Sequence, residues 1–547
     1  MSPKASLTRA ALLWTGIALS GSAAVARPTA PVRTEVAIYG CTPAGIAAAI
    51  GVRRRNHSVT LACRDGWIGG MSTNGLGFAD AGDHAAVGGL ARQFYRDVKT
   101  YYRDRGITDT AASQPHPGAK NDDRDTQWVF EPHVAEAIYT RWLARYGIKP
   151  LFDFRLRLDR RGVASRGGRL IEMVAEDGRR VAGTMFIDAS YEGDLMGMAG
   201  VSYATGREAN AQYGETLNGN QPRNSVNHQF TRDVDPYVVP GRPASGLLPR
   251  IEPGPAGVEG AADQRVQAYT YRLCMTKRPE IRVPFRKPAN YDPKQYELLG
   301  RYFDAGWRET FRKYDPIPNG KTDTNNFDAF SFDDIGRNYA YPTGSYAVRA
   351  RILDEHRTYQ QGLLWYMQND PRVPADMRRA MAPWGLCADE FKDNANWPRE
   401  IYMREGRRMV SDFVMTEHHL RGLSATPRSI GLGSYNMDSH NVRRYVDARG
   451  FARNEGNIEV SPGRTYEISY DALVPKRSQA TNLLVPAAIS ASHIAYGSVR
   501  MEPVFTILGE SAGIAAAIAI DTNVAVQDVS YPRLEQELRT VGQILHP

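Results

Sequence analysis

The run Tyr435-Asn436-Met437-Asp438-Ser439-His440-Asn441 leaves only Met437 without a hydrogen-bonding side chain. His440 is the member whose charge changes near neutral pH. It is suited to take a proton from a substrate O–H or N–H while the adjoining C–H bond gives up a hydride. Asp438 lies two positions earlier and shares a face with His440 if the segment is extended, where it would orient the ring. Arg500 precedes a long apolar segment and supplies a fixed cation. His440, Asp438 and Arg500 are therefore the candidate catalytic residues. The competing reading of His440 is a loop histidine satisfied by backbone groups, and Arg500 and His493 are each read either as site residues or as structural ones.

Four segments have the composition to hold a dinucleotide. In the first, Gly40-Cys41-Thr42-Pro43-Ala44-Gly45 links an apolar strand at 35–39 to an alanine-rich helix at 43–55. This is the place of a G-x-G-x-x-G turn, whose glycines let backbone N–H groups approach a pyrophosphate at a helix N-terminus. Thr42 stands at the middle glycine. Pro43 and Ala44 would lie against the phosphates with Gly40 and Gly45. The second segment, Gly66-Trp67-Ile68-Gly69-Gly70-Met71-Ser72, follows a strand at 58–62, and its paired glycines suit close backbone passage at Gly69, Gly70 and Met71. The third contains Asp188 and Ala189 at the end of an apolar run. The fourth, Arg500-Met501-Glu502-Pro503, leads into a helix at 505–520 with small residues at Gly509, Ala512, Gly513 and Ala516. Small residues on one face let a helix lie close to a sheet. A helix N-terminus at Met501, Glu502 and Pro503 would favour negative charge developing on a reduced ring.

These segments lie at both ends of the chain. Together with Phe130-Glu131-Pro132-His133, Gln267-Ala268-Tyr269, Pro318-Asn319-Gly320-Lys321, the His440 run and Ser490-Ala491-Ser492-His493, they resemble the FAD-dependent oxidoreductase family of the glutathione-reductase-like superfamily. Within it they resemble an exported bacterial branch loosely labelled xanthan lyase-related. The resemblance implies an α/β fold: a split Rossmann-like FAD-binding domain at 34–205 and 465–540, with an inserted α+β substrate or cap domain at 206–464. It implies FAD as cofactor, hydride transfer between a small organic or carbohydrate-type substrate and flavin N5, and an electron acceptor that the sequence does not identify. Substrate would bind between the domains. One departure stands out. The acid that ordinarily ends the second strand and accepts a hydrogen bond from the adenosine ribose is replaced by Cys63.

The elements that must position these groups are a βαβ unit at 34–63, a helix at 131–146, a buried strand at 482–486 and the helix at 505–520. Residues 206–465 are rich in Pro, Asn, Tyr and Trp, with polar loops such as 318–337. Trp365, Trp384 and Trp397 are read as core, a minority of such rings being free to stack on sugar. The four cysteines form no C-x-x-C pair. Cys41 and Cys63 fall at the ends of neighbouring strands and are read as a bridge or as two separate thiols, with Cys274 and Cys387 the other possible pair. No H-E-x-x-H, calcium loop or G-x-S-x-G motif is present, so no metal and no serine hydrolase is assigned.

The charge of +8 is interspersed, and no nucleic-acid motif accompanies it. The run Arg53-Arg54-Arg55 reads as a solvated helix end. Lys4, Arg9, an apolar stretch at 10–19 and Ala24-Val25-Ala26 read as a signal peptide at 1–26, with Arg27 first in a periplasmic or secreted chain. No segment is read as a membrane span. Two rival functions are a polysaccharide lyase and a carbohydrate-binding protein without flavin.

Overall fold

The computed structural model describes residues 30–107, 125–309 and 312–547; the expected signal peptide lies outside them. Strand β1 (Val32–Tyr39) runs from an exposed start into a fully buried end. Val36 and Ile38 face one hydrophobic core and Ala37 and Tyr39 face another. A strand buried on both sides belongs in the middle of a covered parallel sheet, and β1 pairs in parallel with β2 (Val59–Ala62) and with β5 (Arg180–Asp188). Antiparallel β4 (Arg169–Val174) and β3 (Val163–Arg166) extend the sheet beyond the first half of β5, in the order β2-β1-β5-β4-β3. The second half of β5 pairs instead with Leu483–Leu484, parallel, so the C-terminal part of the chain returns to the sheet begun at the N-terminus.

Helix α1 (Pro43–Arg53) starts at Thr42, whose hydroxyl accepts the N–H of Gly45, with Pro43 in the first turn where no N–H is needed. Its residues 43–52 are all buried. Helix Glu502–Thr522 packs on α1 as well as on the sheet. The sequence reading placed the small residues of this helix against a sheet. In fact Gly509 and Gly513 face α1, where any Cβ would overlap the carbonyls of Ala44 and Ala48. This helix alone among the described residues is long and apolar enough to cross a membrane, contrary to the sequence reading, and 94% of its apolar window is buried inside the protein.

The run Arg53-Arg54-Arg55 also differs from expectation. Arg54 bonds Glu510 and Arg55 bonds Glu537. The helix end is therefore pinned to C-terminal elements rather than solvated.

Between these two parts of the first sheet in the sequence, a second, antiparallel sheet forms in the order Arg282–Val283, Gly385–Cys387, Leu273–Thr276, Lys321–Thr324, Tyr314–Ile317. Its fourth strand corrects the reading of 318–337 as a polar loop. Asn319 and Gly320, both at positive φ, turn the chain, and Lys321–Thr324 is buried throughout. Polarity misled there because each polar group has a partner: Asp323 takes a bidentate bond from Arg272, and Thr322 bonds Thr324. Helix Tyr346–Asn369, capped by Ser345, crosses the same region.

Candidate functional site

The glycine turn is built by close contact. Gly40 has φ +107°, and a Cβ there would overlap the backbone of Ala189 and Ser190. A Cβ on Gly45 would overlap the carbonyl of Gly40. Thr42 donates its hydroxyl to Ala189 O at 2.7 Å, so the residue at the middle-glycine position ties the turn to the end of β5. Cys41 and Cys63 are joined by a disulfide, with Cα atoms 5.0 Å apart, and Cys274 and Cys387 form a second one in the antiparallel sheet. The first bridge fixes the turn to the end of β2 and leaves no thiol at position 63.

A small cavity of about 40 Å3 opens on this turn. Of the expected contact residues, Gly40, Thr42, Cys63 and Gly70 line it; the wall is completed by Arg64, Asp65, Trp67, Glu400 and residues 190–192. Arg64 is ringed by carboxylates: Asp65 at 2.5 Å, Glu192, and Glu400 at 3.6 Å. Burial, with Glu192 and Asp65 nearby, lifts Glu400 to about 7 against the pull of Arg64. Asp188 and Ala189 do not line this cavity. Asp188 is spent on its own loop, accepting Ser190 N–H, Ser190 O–H and Met196 N–H at 3.0, 2.6 and 2.7 Å, while burial lifts it to about 7. The surface from this segment comes from Ser190, Tyr191 and Glu192.

Gly69 and Gly70, at φ +89° and +50°, carry the second glycine segment past Tyr191. The Tyr191 hydroxyl accepts Met71 N–H at 3.0 Å and donates to Glu502 at 2.6 Å. Glu502, with Pro503, opens the long helix, and Met501 is its N-cap. The second oxygen of Glu502 is buried without a partner, and burial lifts the group to about 8. Met71, Tyr191 and Glu502 thus join three of the four glycine and helix-start segments.

A larger cavity, about 540 Å3, lies between residues 78–84 and the antiparallel part of the chain. His440 and Asp438 line it. Met437–Ser439 is a strand, so Asp438 and His440 do share a face, with Asp438 Oδ2 3.4 Å from His440 Nε2. Two partners were not foreseen. His440 Nδ1 is held at 2.9 Å by Asp333, and Asp333 in turn by Arg404 at 2.9 Å. Arg500 donates to Asp438 at 2.7 Å and to the hydroxyl of Tyr402 at 2.7 Å. Burial opposes ionisation of Asp438 and Asp333, but the cationic neighbours outweigh it and hold both below the usual carboxylate range. His440 is therefore held by side chains rather than by backbone acceptors. Arg500 is 2% exposed and acts on the cavity through Asp438 and Tyr402.

His493 is set apart from the cavity. Its Nδ1 meets Glu405 at 2.7 Å in a buried group with Arg408 and Glu208, and burial with Arg408 lowers it to about 3. Its connection to His440 is indirect: Gln267 bonds Glu405 with its amide N–H and accepts His440 N–H with its carbonyl. Trp397 is buried, and none of Trp365, Trp384 and Trp397 lines the larger cavity; Tyr402 and Tyr435 do. Glu131, His133 and Glu390 bring ligand atoms within 4.8 Å of one another, but the Lys321 ammonium already lies 2.6 Å from Glu131 and 2.9 Å from Glu390. Two of the resemblance motifs thus meet in an ion cluster that carries its own cation.

A parallel sheet with a glycine turn at the start of α1, and a second helix beginning beside it, defines a dinucleotide-binding α/β protein. The family model described as FAD dependent oxidoreductase matches residues 35–538. The chain belongs to that family. No curated protein matches significantly. Solved structures match over the minority of the chain. An L-amino acid deaminase from Proteus vulgaris is 15% identical, over 32% of this chain and 52% of its own, with TM-score 0.23. An L-proline dehydrogenase from P. horikoshii is 14% identical, over 33% and 59%, with TM-score 0.24. A flavin monooxygenase mutant from Stenotrophomonas maltophilia is 17% identical, over 32% and 42%, with TM-score 0.20. The alignments span roughly half of those chains, and at these scores they carry no argument about substrate.

Proposed function

We propose that this chain is an exported enzyme that oxidises a hydroxylated, carbohydrate-type substrate in the cavity bordered by His440. We assign it to the xanthan lyase-related branch on the motifs quoted above. In this reading residues 34–205 and 465–540 form the FAD-binding domain and 206–464 the cap. FAD supplies, when bound, a two-electron acceptor for the hydride of a substrate C–H bond. The residues suited to hold it are the Gly40–Gly45 turn, the Gly69–Met71 segment and the helix start at Met501–Pro503. Two observations support that fit: backbone contacts that no side chain could share, and a buried Glu502 oxygen awaiting a partner.

The observation that carries the reading is the meeting of His440, Asp438 and Asp333 at the wall of a large polar cavity beside the start of the long helix. With Nδ1–H donated to Asp333, Nε2, which faces Asp438 at 3.4 Å and the cavity, is the ring atom that would take a substrate proton. The cation formed would lie between two carboxylates, and Arg500 keeps Asp438 ionised and in place. Polar linings from Asn325, Asn326 and Asn436 with aromatic faces from Tyr402 and Tyr435 suit a ring bearing many hydroxyls. A polysaccharide lyase gives no reason for the glycine turn and the helix start that suit FAD at the two ends of the chain.

The test is anaerobic mixing of the flavin-loaded protein with a panel of sugars, amino sugars and polyols. At least one should bleach the visible flavin band, and His440→Gln should slow the bleaching by roughly 10²–10⁴-fold, the usual worth of a general base. Bleaching at an unchanged rate in the variant would rule out the assigned base. For export, material recovered outside the cytoplasm should begin at Arg27 by mass spectrometry; a chain recovered only inside, beginning at Met1, would contradict it.

A further inference from the structure

The larger cavity has an uneven charge. Most cations facing it are matched to a carboxylate. Arg272 makes a bidentate pair with Asp323, at 2.7 and 2.6 Å. Lys313 lies 3.7 Å from Asp315, and His228 lies 3.0 Å from Glu459. Behind the wall, Arg500 is matched to Asp438 and Arg404 to Asp333. The carboxylates are not all matched in return. Asp80 lines the cavity, is half-buried, and makes no hydrogen bond or ion pair among the described residues. Its charge is felt by Arg272, Tyr402, Tyr435 and Arg500, which places it on the same wall as the residues around Asp438. Asp83, at the exposed mouth, only caps its own turn and Ser434.

A half-buried carboxylate that lines a cavity and makes no hydrogen bond has its acceptor oxygens available to a ligand that can donate to them. Taken together, the cavity presents a surplus of negative charge next to a proton acceptor. Such a surface repels a carboxylate substrate and attracts an ammonium, in the strong, charge-assisted kind of hydrogen bond. We propose that Asp80 anchors a protonated amine on the substrate, so that this enzyme takes amino sugars or amino polyols in preference to neutral sugars, and excludes uronic acids. Asp80 then fixes which part of the substrate reaches His440. The inference rests on the preceding reading of the cavity as the substrate site.

Three probes of one ring size decide it: D-glucosamine, D-glucose and D-glucuronate. Each is titrated calorimetrically into the flavin-loaded protein in slightly acidic buffer, where the amine is protonated. D-glucosamine should bind at least about tenfold tighter than D-glucose, and D-glucuronate weakest, one charge-assisted bond being worth about a factor of ten or more. Asp80→Asn, which keeps the side-chain shape and breaks no existing bond, should bring D-glucosamine to within about twofold of D-glucose. Its flavin content should equal that of the parent. The proposal is overturned if D-glucuronate binds tightest, if Asp80→Asn keeps the preference for the amine, or if none of the three binds. Flavin content is read separately from the visible spectrum. A flavin-loaded protein without the ranking refutes this inference alone. A ranking that persists while no sugar or polyol bleaches the flavin refutes the proposed oxidation and leaves the charge preference standing.

Discussion

Glu502→Gln isolates a single buried proton. Glu502 opens the long helix, is 5% exposed, and has one oxygen bonded by Tyr191 and the other unpartnered. Burial lifts it from the ordinary 4.5 to about 8. The helix N-terminus acts the other way, favouring the carboxylate by about 0.3–1 kcal/mol, and by ~2 kcal/mol in buried settings. A shift from 4.5 to about 8 corresponds to something on the order of 5 kcal/mol, so burial prevails and the group is a neutral acid at neutral pH. A carboxylic acid whose folded pKa is raised stabilises the fold below its unfolded value, and that contribution is lost as pH rises toward the folded value. Between pH 4.5 and 8 the parent should therefore lose about 1.4 kcal/mol per pH unit relative to Glu502→Gln, which is neutral at every pH and still accepts the Tyr191 hydroxyl. Asp188, raised to about 7, tilts the two proteins alike and cancels in the comparison, whereas the repulsion between Glu400 and Glu502 is part of the effect that the variant removes. Urea unfolding of the flavin-free proteins across that window provides the measurement, through the midpoint at each pH. Midpoints that run parallel in parent and variant would refute the burial argument.

Thr42→Asp keeps a helix cap but sets a negative charge on the wall of the first cavity. Two like charges about 4 Å apart near a protein surface repel by about 4 kcal/mol, so FAD affinity should fall roughly a hundredfold or more by equilibrium titration; unchanged affinity would exclude this turn as the pyrophosphate seat. Thiol titration of denatured, unreduced protein should find none, because both cysteine pairs are bridged, and four reactive thiols would contradict that. Asp194→Asn should destabilise the fold by about 3–5 kcal/mol in urea, since it leaves Arg349 and Arg407 buried without their carboxylate; a loss under 1 kcal/mol would show that water reaches those guanidinium groups.

Local pattern made much of the fold legible. The apolar run of β1, the glycine turn, the alanine-rich α1 and the apolar 505–520 stretch each announce themselves within a few residues, and all four are present. What local pattern cannot carry is pairing across the chain. Asp333 and His440 are 107 residues apart, and nothing around Asp333 marks it as the partner of a ring nitrogen. The strand Lys321–Thr324 reads as a loop because its polar groups are satisfied only by distant partners such as Arg272. The small residues of the long helix were recognisable, but not that they face α1 rather than the sheet. Asp188 looked like a cofactor residue because it ends an inner strand. Its oxygens, however, are consumed by Ser190 and Met196 a few positions on, a local bond that its flanking serine could have signalled.

The account turns on FAD held between the Gly40–Gly45 turn and the start of the helix Glu502–Thr522. Denaturing the purified protein and identifying the released cofactor by its absorption and mass tests this most directly. The account predicts FAD at close to one molecule per chain; a colourless protein that takes up none when incubated with FAD would contradict it.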